Sequence, residues 1–155
     1  MAANIAGSII AIPVGDDWGF AKVIFASDYV ADAILLKLFR TRHPTPGAVP
    51  PESLKGEFDL YYTSREPLRK QRWKVVGSEA VSDEERTFTK RTSGGEVWLE
   101  DTHLGPASEQ DLKSLPKMLI HGFKLIELQV YRYEPNSYNN QSNCSDPFIS
   151  GDSNT

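Results

Sequence analysis

The triplet Gly15-Asp16-Asp17 restricts this chain more than any other short stretch, because it separates two apolar runs with turn chemistry. Glycine accepts positive φ at no steric cost, and aspartate side chains bond their own backbone. Before the triplet, Gly7 to Val14 is apolar, Ile-rich and bounded by glycines, the composition of a buried strand. After it, Trp18 to Ala26 alternates. Phe20 and Ile24 fall on one face, and Ala21, Val23 and Phe25 on the other. The two runs predict a β-hairpin.

The next segment, Val30 to Arg40, carries two patterns at once. Ile34, Leu36 and Leu38 would line one face of a strand, while Ala31, Ile34, Leu35, Leu38 and Phe39 fit a helical stripe. Strand is the preferred reading, since a third strand completes a meander with the hairpin. Pro44, Pro46, Gly47, Pro50 and Pro51 then exclude regular structure and mark a loop within the domain. Phe58 to Thr63, Trp73 to Val76 and Glu96 to Leu99 are short strand candidates, rich in aromatic and β-branched residues. Ser82-Asp83-Glu84-Glu85 and Ser108-Glu109-Gln110-Asp111 match the capping box, in which hydroxyl and carboxylate satisfy free N–H groups at a helix start. Phe123 to Tyr133 alternates again, with Ile126, Leu128 and Val130 on one side, and predicts a further strand. From Pro135 the chain turns to Asn, Ser, Asp and Gly with too little apolar surface to offset its ordering entropy. The expected organisation is one α+β domain over residues 1–134 and a polar, flexible tail over 135–155. Its main feature is a dominant curved antiparallel sheet, partly barrel-like, with one or two short helices.

A chain of 155 residues is long enough to bury a core without a metal or disulfide, and its single cysteine, Cys144, forbids an intrachain bridge. The apolar run Ile9 to Val14 is too short to span a bilayer, and the first basic residue is Lys22, so no targeting segment is visible. A cytoplasmic protein is expected, away from the membrane. The net charge of −4 weighs against nucleic acid as a partner. Its distribution says more. Residues 65–74 hold Arg65, Arg69, Lys70, Arg72 and Lys74 against Glu66 alone. Residues 79–111 hold nine carboxylates against Arg86, Lys90 and Arg91. A basic segment thus runs into an acidic one, which is either two solvated surfaces or an acidic docking face.

Few residues suggest chemistry. His43, His103 and His121 lie far apart without metal-ligand spacing, so no metal is expected. Cys144 sits in the polar tail, where no rigid element would hold a base against it. Ser93-Gly94-Gly95 lacks the frame of a phosphate loop. Glu100, Asp101 and Glu127 offer an acid–base pair in principle, but carboxylates at strand edges are usually solvated. Catalytic residues and cofactors are therefore not expected. Trp73 among the basics would suit RNA as a stacking platform, or else it enters the core where its strand begins.

Two stretches read together suggest a family. Gly7-Ser8-Ile9-Ile10-Ala11-Ile12-Pro13 precedes Trp18-Gly19-Phe20-Ala21-Lys22-Val23, and Trp73-Lys74-Val75-Val76-Gly77 precedes Ser82, Glu84 and Glu85. The pairing resembles immunity protein family 26 of bacterial polymorphic toxin systems over roughly residues 7–100. Ser8 stands where the family pattern has Asp, and its hydroxyl serves the same turn-bonding role. The resemblance implies an antitoxin that binds a cognate toxin domain without turnover, and it carries over no catalytic residue. The acidic segment suits a basic active site on such a partner, with Asp83, Glu84, Glu85, Glu100 and Asp101 as the expected contacts. The alternative is a small β-barrel module that binds RNA or a peptide through residues 65–74.

Overall fold

The turn at Gly15 joins β1 (Ser8–Val14) to β2 (Asp17–Ala26), antiparallel from Ile9↔Lys22 to Val14↔Asp17. The structure is a computed structural model that describes residues 5–30, 32–46 and 55–133. The polar tail expected over 135–155 lies outside the described residues, as does the loop from Gly47 to Pro51. β3 (Ala33–His43) continues the meander against β2, which settles the ambiguous segment as strand from Ala33 onward. β4 (Phe58–Ser64) follows antiparallel to β3.

Beyond β4 the chain crosses the sheet. The short helix α1 (Glu66–Arg69) leads to β5 (Lys74–Ser78), which pairs with β1 at the far edge. Both capping boxes form: Ser82 opens α2 (Asp83–Thr87) and Ser108 opens α3 (Glu109–Ser114), each with reciprocal side-chain bonds at 3.0 Å. Between them, β6 (Arg91–Ser93), β7 (Glu96–Leu99) and β8 (Thr102–Pro106) build a separate three-stranded antiparallel sheet. The two-residue strand β9 (Ile120–His121) then adds in parallel to β4. The large sheet runs β5-β1-β2-β3-β4-β9, an open order with no pairing between its ends. Mixed α+β architecture with a dominant strand layer is thus established.

Both faces of the large sheet are covered, because alternation along β1, β2 and β3 leaves apolar residues on each. One face carries Ile10, Ile12, Ala21, Val23, Ile34, Leu36 and Leu38, and it is closed by α4 (Phe123–Arg132) through Ile126 and Val130. Here the sequence reading is overturned: Phe123 to Tyr133 is not a strand. Its apolar residues satisfy two periods. The helical set Phe123, Ile126 and Val130 is the one that meets the bare face of the sheet, leaving Leu125, Leu128 and Tyr131 in solvent. Gly19 makes the contact possible, since a Cβ there would lie 2.4 Å from Val130 Cγ1.

On the opposite face Ile24, Leu35 and Tyr62 pack under Val81, Phe88 and Met118, and Phe20 and Phe39 pack with Trp18, Phe58 and Val76. Phe25 joins this side rather than the Val23 side, because a bulge between Val23 and Phe25 breaks the alternation. No described helix is long and apolar enough to cross a membrane.

Candidate functional site

The acidic segment divides into carboxylates that serve the fold and carboxylates that face solvent. Glu85 belongs to the first group. Being third in the helix that Ser82 opens, it points down onto β2 and β3, where alternation has placed Lys22 and Lys37 opposite each other in register. Lys22 is 1% exposed, and its Nζ donates to Glu85 Oε1 at 2.8 Å, Glu79 Oε1 at 2.6 Å and the Ala80 carbonyl at 2.9 Å. Lys37 Nζ donates to Glu85 Oε2 at 2.9 Å and lies 4.6 Å from the centre of the Phe58 ring. Burial opposes the charge on Glu85. The bonds from Lys22, the Ser82 backbone and Lys37 outweigh it and bring its pKa down to about 2. In the same way burial would lower the pKa of Lys22, but Glu79 and Glu85 raise it. Glu85, one of the expected partner contacts, is 6% exposed and held by both lysines.

Asp101 is also engaged. It accepts from the Ser27 hydroxyl at 2.6 Å and the Asp28 N–H at 2.8 Å, fixing the loop that joins β2 to β3. Glu100 precedes it with φ of 53°, and its carbonyl accepts from Arg91. Glu100, Asp101 and Asp28 line a small polar pocket of about 310 Å³, which Asp83 and Glu84 do not line. Asp83 and Glu84 instead stand exposed on the first turn of α2. Of the five expected contacts, Asp83 and Glu84 are exposed, Glu100 and Asp101 are half-buried and Glu85 is buried.

The basic segment is likewise mostly paired. Arg69 bonds Asp32, Lys70 bonds Glu66, and Arg72 makes a two-pronged bond to Glu127 at 2.6 and 2.7 Å. Trp73 is 1% exposed, edge-on to Phe123, and its indole N–H donates to Glu127 at 2.9 Å. The ring is core, as the second sequence reading had it, and offers no face on which a base could stack. Arg65 differs from its neighbours. It is 8% exposed, its Nε has no hydrogen-bond partner, and among the described residues no ion pair reaches it. It lines a cavity of about 640 Å³ together with Ile5, Leu68, Trp73 and Val75 and the polar Arg69, Gln71 and Lys74.

Sequence reasoning missed both the Lys22–Glu85–Lys37 cluster and the role of Arg65. The first had a signal: Lys22 interrupts the apolar face between Phe20 and Ile24, and a lysine there demands a buried acid. Arg65 had none, because among five basics nothing local marks the one that turns inward. Among the described residues, no group of three His, Cys, Asp or Glu is placed to hold a metal ion. Comparison with family models, with curated proteins and with solved structures finds no match to this chain.

Proposed function

We propose that this chain is an immunity-type protein that neutralises a cognate bacterial toxin by binding it one to one in the cytoplasm. The observation that supports this reading most is the adjacency of the two stretches that carry the family resemblance. Ile9 pairs with Gly77, Ile10 with Val75 and Ala11 with Lys74, although more than sixty residues separate them in sequence. A motif of two distant parts gains meaning when the parts are neighbouring strands, since the pattern then describes one edge of the sheet.

Within this reading Asp83 and Glu84 contact the toxin first. Both are exposed, Asp83 with only a 3.4 Å surface contact to Arg86, and they sit on a helix opening toward which a basic partner would be steered. Glu85 anchors that turn from below.

The test is a titration. With the toxin domain encoded beside this gene, residual toxicity should fall linearly and vanish at one equivalent, and the pair should elute as a 1:1 complex. Inactivation at a small fraction of an equivalent would indicate turnover, and undiminished killing would remove the immunity reading altogether.

A further inference from the structure

Among the described residues three buried side-chain nitrogens lack a hydrogen-bond partner, Nε of Arg65, Nε of Arg91 and Nδ1 of His121, and of these Arg65 lines the cavity between α1 and β5. Buried guanidinium groups normally find a carboxylate, carbonyl oxygens or an aromatic face, because an unpaired buried charge is strongly disfavoured. Arg91 shows how this chain meets that demand. It is 2% exposed and its Nε also lacks a partner, yet its Nη1 donates to the carbonyls of Thr89 at 3.0 Å and Glu100 at 2.6 Å, and its guanidinium carbon lies 5.6 and 5.5 Å from the ring centres of Phe25 and Tyr62.

Arg65 has no such set. The carboxylates near it are committed elsewhere: Asp32 to Arg69, Glu66 to Lys70, and Glu127 to Arg72 and Trp73. What Arg65 does adjoin is a cavity lined by the apolar side chains of Ile5, Leu68, Trp73 and Val75, with Lys74 as a second cation in the lining. A volume of about 640 Å³ is of the size that small ligands occupy.

We propose that this cavity binds an amphipathic monocarboxylate, its anionic group on Arg65 and its apolar body against Leu68, Trp73, Val75 and Ile5. A carboxylate suits the planar guanidinium because two of its N–H groups meet both oxygens at once. A polyanion such as RNA would bring far more charge than Arg65 and Lys74 could match, and the apolar lining would give it nothing to contact. The site stands apart from the proposed toxin contacts, and the proposal does not depend on them.

The probe is octanoate, titrated into the full chain and followed by the Trp73 indole N–H resonance and by calorimetry. Octanoate should bind and shift that resonance, while 1-octanol, with the same tail and no carboxylate, should bind at least tenfold more weakly. Octylamine should not bind. Arg65→Met should reduce octanoate binding to the octanol level while leaving the melting temperature unchanged or higher, since it removes an unpaired buried charge. Equal affinity for octanoate and octanol in the unmutated chain would overturn the proposal, whatever the variant does. So would absence of binding by either, or a variant that binds octanoate as before.

Discussion

Lys22 and Lys37 face each other across β2 and β3 on a layer otherwise built from Phe20, Ile24, Leu35 and Phe39. Two ammonium groups side by side in such a layer repel, and each loses its hydration. Glu85, with one oxygen for each, makes the arrangement tenable. Removing one partner of a buried pair costs about 3–5 kcal/mol, so Glu85→Ala should lose stability of that order in urea unfolding. The cluster also sets a pH dependence. Glu85 has a folded pKa of about 2 against an ordinary 4.5, so the unfolded chain takes up the proton first. Its contribution is complete above pH 4.5 and is lost as pH falls toward 2. The urea midpoint of the unmutated chain should drop across that window more steeply than that of Glu85→Gln. Equal slopes would mean that the ion pair is absent in solution.

At the scale of elements, the meander and both capped helices were legible because each rests on local rules. The turn at Gly15 requires its residue types, and Ser82 and Ser108 stand three residues before Glu85 and Asp111. α4 was misread because Ile126, Leu128 and Val130 satisfy a period of two as well as Phe123, Ile126 and Val130 satisfy a helix. Only the bare face over β1, β2 and β3 decides between them. That difference is measurable. Ile126→Ala should cost about 2–5 kcal/mol as a core truncation, whereas Leu128→Lys, at 44% exposure, should change stability by less than about 0.5 kcal/mol. A strand with the three residues on one face would make both costly. The seat of the helix gives a second check. Gly19→Ala drives a methyl group into Val130 and should cost about 1–3 kcal/mol. Val130→Ala in the same chain should recover part of that loss, because the two changes share one contact.

For the whole molecule, charge was easier to locate in sequence than to interpret. The acidic stretch over 79–111 is real, yet Glu85 and Asp101 spend their charge on bonds within the fold; the capping box marks Glu85 in the sequence, but nothing there separates Asp101 from Asp83 and Glu84. The basic stretch hides the converse case, one inward cation among neighbours that are mostly paired. If a basic toxin approaches α2, reversing Asp83 and Glu84 together should slow association severalfold and flatten its salt dependence, since steering acts over about 8–10 Å. Stopped-flow association at two ionic strengths would measure both effects. An unchanged rate would move the interface off α2.

The strand order bears on how the chain is made. β1 to β4 pair strictly in sequence, so each ladder can close as soon as its second strand leaves the ribosome. α4, which covers one face of that layer, begins at Phe123, while β4 ends at Ser64. At a synthesis rate of about 5–20 residues per second, that interval lasts roughly 3–12 s. For those seconds a paired sheet stands with Ile10, Val23, Ile34 and Leu36 uncovered, an apolar plate attached to a growing chain. Holding chaperones should meet this protein in that interval, and ribosome-bound fragments ending before Phe123 should aggregate where those extending past Tyr133 do not.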